Sequence, residues 1–237
     1  MIPISPRLLC CASMIQGDFV CDIGTDHAYL PAYLITGGRC SQVIATDVKQ
    51  GPLESAKGTL RRYHAEKQVQ LILSDGFQKV RNKGITDVII AGMGGETIRG
   101  ILSDKSADFI KTRAVNLILQ PMTKAEVLRQ WLSSNGFAVK KETAVKDTHI
   151  YTVMQAVYTG QAAPFCDAQC YYGMLKRSDP LTKIYISGVQ DRLHTKAHGL
   201  DEAGAEADAA AVRKLISEIN RWLNPEKGES NDRTEHL

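Results

Sequence analysis

The chain has 237 residues, 43% of them hydrophobic and 23% charged, with a formal net charge of +3. These are ordinary values for a soluble globular protein of one large domain, or one domain with an appendage. No run of eighteen apolar residues exists and the N-terminus lacks a charged-then-apolar pattern, so neither a transmembrane helix nor export is expected.

Six cysteines (Cys10, Cys11, Cys21, Cys40, Cys166, Cys170) lack the paired C-x-x-C spacing of zinc or redox sites, so no metal is expected. Cys10, Cys11 and Cys21 sit in apolar contexts and read as buried thiols, which suits a reducing cytoplasm. Charge is unevenly divided: residues 1–163 carry 19 basic against 14 acidic side chains, and residues 164–237 carry 10 against 12. A basic larger part permits a nucleic-acid partner without requiring one.

In chain order, residues 5–15 read as a short amphipathic helix with Ser5 as cap and Pro6 at its first position. Arg7, on its first turn, is either solvated or directed toward a ligand. Residues 19–23 form an apolar strand that ends in Asp22-Ile23-Gly24-Thr25-Asp26-His27, and a helix follows until Gly37-Gly38. In open α/β sheets ligands bind at the carboxyl ends of strands, where the sheet order reverses. Gly24 lets backbone approach a ligand, and Asp22 can accept hydrogen bonds from it. The competing reading is an ordinary turn with a helix-capping acid.

A dinucleotide fingerprint would place its second glycine where Asp26 stands. A carboxylate there repels a diphosphate and suits S-adenosyl-L-methionine, which carries a sulfonium cation and no phosphate. Residues 42–46 form a second strand ending at Asp47, the usual place for an acid that reads a ribose diol, the competing reading being an acid at a helix N-terminus. A helix runs from Gly51-Pro52 through Tyr63, and its basic residues Lys57, Arg61 and Arg62 either touch phosphates or, by default, form a solvated face. A third strand, 69–73, ends in Ser74-Asp75-Gly76. Asp75 either accepts an adenine amine or belongs to a plain Asp-Gly turn.

Residues 86–91 form a fourth strand that opens into Gly92-Met93-Gly94-Gly95, a segment suited to lying against a substrate. No P-loop ending follows. A helix over 96–109 and a fifth strand over 114–119, ending Gln120-Pro121, come next. The helix over 123–134 has a capping box, Thr123 with Glu126. Residues 137–145 and 149–158 alternate as an antiparallel closing pair, with His149 as a surface residue at a strand end. From about Pro164 the strands stop. Residues 181–200 and 203–223 read as two helices joined at 201–204 into a coiled-coil-like hairpin, followed by a polar, frayed tail from Asn224.

These features fit an α/β protein, and the expectation is a class I, Rossmann-like S-adenosylmethionine-dependent methyltransferase with a seven-stranded, mostly parallel sheet over residues 1–163. A C-terminal helical hairpin occupies 164–237. The chain resembles the bacterial tRNA (adenine-22-N1)-methyltransferase family. The likeness rests on Asp22-Ile-Gly-Thr-Asp-His-Ala-Tyr-Leu-Pro31, Gly51-Pro52-Leu53 with Ser55-Ala56-Lys57, Asp75-Gly76, Ala91-Gly-Met-Gly-Gly95 and Leu119-Gln120-Pro121, and it covers essentially the whole chain, including the C-terminal helical hairpin.

The resemblance implies methyl transfer from S-adenosyl-L-methionine, released as S-adenosyl-L-homocysteine, to N1 of adenine 22 in tRNA. The expected cofactor residues are Arg7, Asp22, Gly24, Asp47, Asp75, Gly76, Gly92, Met93 and Gly94. Asp26, His27 and Tyr29 are the expected catalytic set, each with a structural alternative as cap or core. Gly92-Met93-Gly94-Gly95 lacks the aromatic and side-chain amide of adenine N6-methylating loops, which fits a different target atom. The expected partner is tRNA, with no membrane and no metal, and a cytoplasmic monomer is the default. The rival readings are a small-molecule methyltransferase and a non-catalytic RNA-binding protein of the same fold.

Overall fold

In the computed structural model, residues 2–81 and 84–225 are described. The part of the expected C-terminal tail beyond 225 lies outside them. Five strands run parallel, β1 (Phe19–Ile23), β2 (Gln42–Asp47), β3 (Val69–Leu73), β4 (Asp87–Gly94) and β5 (Asn116–Thr123), and helices make the connections other than that from β3 to β4, where none occurs among the described residues. An antiparallel pair, β6 (Phe137–Lys146) and β7 (Ile150–Tyr158), closes the sheet in the order β3-β2-β1-β4-β5-β7-β6. The order reverses between β1 and β4, so the carboxyl ends of these two strands frame the crevice where such sheets bind ligands.

Side-chain alternation along the central strands divides the core in two. Cys21, Ile23, Val88, Ile90, Leu117 and Leu119 pack with Ile98, Leu102, Leu128 and Leu132. The last four belong to α4 (Gly95–Ser103) and α6 (Ala125–Ser134). Val20, Val43, Ile89 and Ile118 face the other way, against Cys11, Leu30, Leu34 and Leu60. These come from α1 (Pro6–Ser13), α2 (Tyr29–Thr36) and α3 (Gln50–Arg62). Both faces of a parallel sheet are covered, which is why its strands read as nearly continuous apolar runs.

Several boundaries differ from the sequence expectation. Ser5 stands at the N-cap of α1, but its side chain makes no capping hydrogen bond. Cys11 and Cys21 are buried, whereas Cys10 is only half-buried. The helix expected over 96–109 breaks after Ser103, because the Asp104 carboxylate accepts from the Ser106 N–H and starts a 3-10 turn; α5 (Phe109–Thr112) follows. The capping box at Thr123 does not form. Backbone from Met93 to Gly94 pairs with Pro121 to Thr123 and draws Thr123 into β5, so Lys124 becomes the N-cap of α6, at φ +52°.

A short helix, α7 (Asp167–Tyr172), which the sequence pattern did not suggest, leads into the hairpin of α8 (Pro180–Glu202) and α9 (Glu206–Leu223). The hairpin has its own core, with Ile186, Val189 and Leu193 against Val212, Ile216 and Ile219. Tyr172 stacks on Trp222 with ring centroids 4.2 Å apart.

One buried ion pair ties this appendage to the sheet. Arg129 on α6 and Glu142 on β6 have fully buried side chains, with Nη2 2.7 Å from Oε1. Arg129 also donates from Nη1 to the carbonyls of Cys170 and Tyr171, at 2.8 and 3.0 Å. Its Nη2 lies 3.4 Å from the Tyr185 hydroxyl on α8. Glu142 Oε2 accepts the Met174 N–H at 3.0 Å. Burial pushes the Arg129 pKa down, but the Glu142 charge and its hydrogen bonds outweigh this, and the net shift is upward. The connecting turn wraps so closely on the pair that a Cβ at Gly173, where φ is +54°, would strike both Glu142 and Arg129.

Candidate active site

The crevice at the β1/β4 reversal holds a pocket of about 450 Å³ lined by Arg7, Asp22, Gly24, Asp26, His27, Tyr29, Asp47, Gly92 and Met93, among others. Nine of the expected site residues therefore meet in one place. Asp75, Gly76 and Gly94 do not line it. Asp75 is an exposed residue at the carboxyl end of β3. Gly94 is the N-cap of α4 and faces Thr123, where a Cβ would lie 3.2 Å from Oγ1.

The glycine segment after Ala91 is a continuation of β4, and its glycines serve two ends. Gly92, at φ +80°, lines the pocket beside Arg7. Gly95 packs against the turn between β5 and α6, where a Cβ would come within 2.2 Å of the Lys124 carbonyl oxygen. A left-handed backbone at the pocket wall therefore explains Gly92, while close approach of two loops explains Gly95.

Asp22 is 4% exposed and forms no ion pair among the described residues. Burial raises its carboxyl pKa to about 6; the charge of Asp47 adds to the rise and the Thr25 hydroxyl opposes it. An uncompensated buried carboxyl facing a cavity favours a cationic ligand. The Asp47 carboxylate is oriented from two sides, accepting the Asp26 N–H at 3.3 Å and the Lys49 N–H at 2.9 Å.

The turn after β1 is anchored by the Gly24 and Thr25 N–H groups, each donating to the Thr46 carbonyl at 2.8 Å. It then takes φ values of +78° at Gly24, +51° at Asp26 and +54° at Ala28. Two non-glycine residues in the left-handed region cost about 1–3 kcal/mol each, a form of strain that collects at functional sites. At Gly24 a Cβ would fall 2.1 Å from Met93 Cε.

Ala28 is the N-cap of α2 and no side chain caps that helix, so neither Asp26 nor His27 has the capping role. The Asp26 and His27 side chains are 69% and 49% exposed at the pocket mouth, with Oδ1 and Nε2 3.6 Å apart. The His27 and Tyr29 rings lie 5.9 Å apart.

Arg7 is not a solvated side chain. Its Nη1 donates to Gln120 Oε1 at 3.0 Å, and its Nε lies 3.5 Å from Asp147 Oδ2. The same Gln120 oxygen accepts the Gly92 N–H at 3.1 Å. Gln120 is fully buried, so one amide fixes both a cation and the backbone of the pocket wall. Sequence reasoning assigned no role to Gln120 or Asp147; a polar residue closing the apolar run of β5 was the available signal. It also passed over Val48, which lines the pocket while 62% exposed, an apolar surface beside Asp47. His149 is exposed at a strand end, as expected, and lines a different cleft.

A methyltransferase-domain family model matches residues 4–154. Together with the sheet order and the acid-and-glycine pocket, this makes the chain a Rossmann-like methyltransferase. It is 34% identical over 177 residues to the tRNA (adenine(22)-N(1))-methyltransferase of Bacillus subtilis, spanning 73% of each chain. The chain belongs to that tRNA (adenine-22-N1)-methyltransferase family.

Solved structures agree along nearly the whole length. The m1A22 tRNA methyltransferase of Bacillus subtilis superposes with a TM-score of 0.74 at 25% identity, covering 94% of this chain and 97% of that one. A Streptococcus pneumoniae structure in complex with S-adenosyl-L-methionine gives 0.75 at 25% identity, covering 92% and 98%. Among the described residues no helix is long and apolar enough to cross a membrane, and no cluster of metal-ligating side chains occurs.

Proposed function

We propose that the protein transfers a methyl group from S-adenosyl-L-methionine to N1 of adenine 22 in tRNA. The observation that carries the reading is family membership combined with a pocket whose buried Asp22 forms no ion pair among the described residues. The residues present fit the cofactor. Asp22 suits its ammonium or sulfonium charge, and Asp47 its ribose diol. Gly24 and Gly92 leave backbone open at the wall, and Arg7 suits its carboxylate. Asp75 and Gly76, beyond the pocket at the tip of β3, are assigned to the adenine end, with Met93 shaping the wall beneath. When bound, the cofactor supplies a methyl group activated on a sulfonium.

Adenine N1 is an in-plane nitrogen with a free lone pair, so no base is required before attack, and positioning supplies most of the acceleration. Positive charge moves onto the adenine as it is methylated. Asp26, exposed at the pocket mouth, accepts a hydrogen bond from the N6 amine and stabilises that charge. His27 orients the carboxylate and Tyr29 walls the base. N1 lies on the Watson–Crick edge, so the adenine must be unpaired or extruded to react.

The test is transfer of labelled methyl to two unmodified tRNA transcripts, one with adenine and one with guanine at position 22, with the product nucleoside identified by mass spectrometry. Formation of 1-methyladenosine in the adenine transcript alone is the expected result. Cofactor binding without labelling of either would leave the small-molecule methyltransferase or the non-catalytic reading. An Asp26→Asn variant is expected to lower kcat by roughly tenfold to a hundredfold, as lost stabilisation of developing charge does, while leaving cofactor affinity unchanged in calorimetry.

A further inference from the structure

Beside the cofactor pocket lies a larger cleft, of about 730 Å³, which the chemistry described so far does not use. One wall is the end of β5 and the start of α6, with Pro121, Met122 and Lys124; the start of β7 adds His149 and Tyr151. The opposite wall is α8. Ile184, Gly188 and Arg192 follow one another at i, i+4 and i+8, so they form a single stripe along that helix, with Tyr185 beside it. The cleft is therefore shared between the methyltransferase core and the hairpin.

Its position follows from strand register. Pro121 lines the cleft, and its partner Met93 in β4 lines the cofactor pocket, so a single strand pair separates the two. Its chemistry is mixed in a particular way. Ile184 is 57% exposed although it is large and apolar. Tyr185 and His149 bring rings, and Arg192 is exposed with no ion pair among the described residues. Lys124 is present and paired to Glu96, and Glu126 is the one carboxylate on the lining. Apolar and aromatic surface interleaved with free cationic charge is what single-stranded nucleic acid requires: bases stack and phosphates pair.

The width of the cleft is fixed from behind. Arg129 and Glu142 hold the α7–α8 connection, and Arg129 reaches the Tyr185 hydroxyl in the cleft wall. A buried ion pair is weak evidence for stability, since apolar residues of similar volume often serve as well. Its hydrogen bonds to the connection make it instead a device that sets the position of the hairpin.

We infer that this cleft seats the unpaired RNA strand flanking the target adenine, with bases lying on Ile184 and Tyr185 and a phosphate held by Arg192. The inference rests on the tRNA reading above and extends it to the path of the substrate. Reach into the pocket then depends on the hairpin, and a free adenosine, which cannot span both, is a poor substrate.

Gly188 provides the test. A Cβ there meets only Arg192 Nη1, at 3.9 Å, so a leucine at this position projects into the cleft without striking backbone. Leucine is also a better helix former than glycine. Gly188→Leu is therefore expected to keep or raise the thermal midpoint and to bind S-adenosyl-L-methionine as the wild type does. Its affinity for an unmodified tRNA transcript, read by fluorescence anisotropy, is expected to fall at least tenfold, with a matching rise in KM. Gly188→Ala is expected to behave as wild type.

Wild-type tRNA affinity in Gly188→Leu would overturn the inference. Should that variant lose cofactor binding, Arg192→Glu carries the test with the same expected loss and the same overturning result. Wild-type protein that binds tRNA but transfers no methyl would defeat the functional reading while leaving the affinity comparison decisive. Wild-type protein that does not bind tRNA would defeat both.

Discussion

The two cavities on either side of the β4–β5 pair are built in opposite ways. The cofactor-side pocket is made chiefly from the ends of β1, β2 and β4 and the turns that follow them, with Arg7 added from α1. Its geometry comes from backbone: left-handed residues, close glycines and N–H groups aimed at Asp47. The cleft is assembled from residues far apart in the chain, and its shape depends on where a separate helical unit is docked. Side chains do that docking, through Arg129 and Glu142. The first site should thus tolerate changes in distant packing and be sensitive to a single methyl group, and the second should behave the other way round.

The largest effect is expected at the clamp. Arg129→Ala leaves Glu142 buried without its partner and two carbonyls without donors, a loss of about 3–5 kcal/mol in urea unfolding. An Arg129→Met, Glu142→Leu double substitution should recover much of that stability, because it removes both buried charges. If the comparison holds, the double variant keeps cofactor affinity and loses tRNA affinity. Equal retention of both would show that the hairpin needs no fixed position.

A smaller loss, concentrated on the other cavity, is expected for Gly24→Ala. The new methyl meets Met93 Cε at a position where φ is +78°, so a destabilisation of about 1–3 kcal/mol should accompany loss of cofactor binding in calorimetry. The tRNA affinity of this variant should stay near that of the wild type.

The most graded prediction concerns pH. Asp22 titrates near 6 in the folded protein, above its ordinary value of 3.8. A cationic ligand binds the ionised form, so S-adenosyl-L-methionine affinity should fall by up to tenfold per unit as pH drops below about 6. Stability of the ligand-free protein runs the opposite way. The folded state holds this proton more tightly than the unfolded chain does, so the contribution is full below about 4 and is lost as pH rises through 6. Asp22→Asn should abolish both slopes and, at neutral pH, raise the thermal midpoint while weakening the cofactor. Persistence of the binding slope in that variant would assign it to another group.

The strands, the sheet's acid-bearing tips and the two long helices of the hairpin were legible in the sequence. They are local facts: apolar runs of strand length, an acid at a strand end, an apolar stripe at helical spacing. Boundaries failed where a neighbouring segment competed for the same backbone. Thr123 could have capped α6, but pairing with Gly94 drew it into β5. Ser103 and Asp104 interrupted a helix because a carboxylate offered the backbone another partner.

Local pattern alone set the methyltransferase sheet and, Arg7 on α1 apart, the residues that gather at its reversal point, because each of these lies within a few residues of a strand end and needs only correct strand order to meet the others. Only the tertiary structure decided that Arg7 is held between Gln120 and Asp147, that Gly92 and Gly95 face different neighbours, and that Arg129 fastens the hairpin from inside the core. Those contacts join residues distant in the chain, and nothing in a local pattern says which buried polar groups will satisfy one another. That choice is made when the sheet closes and leaves each of them a single partner within reach.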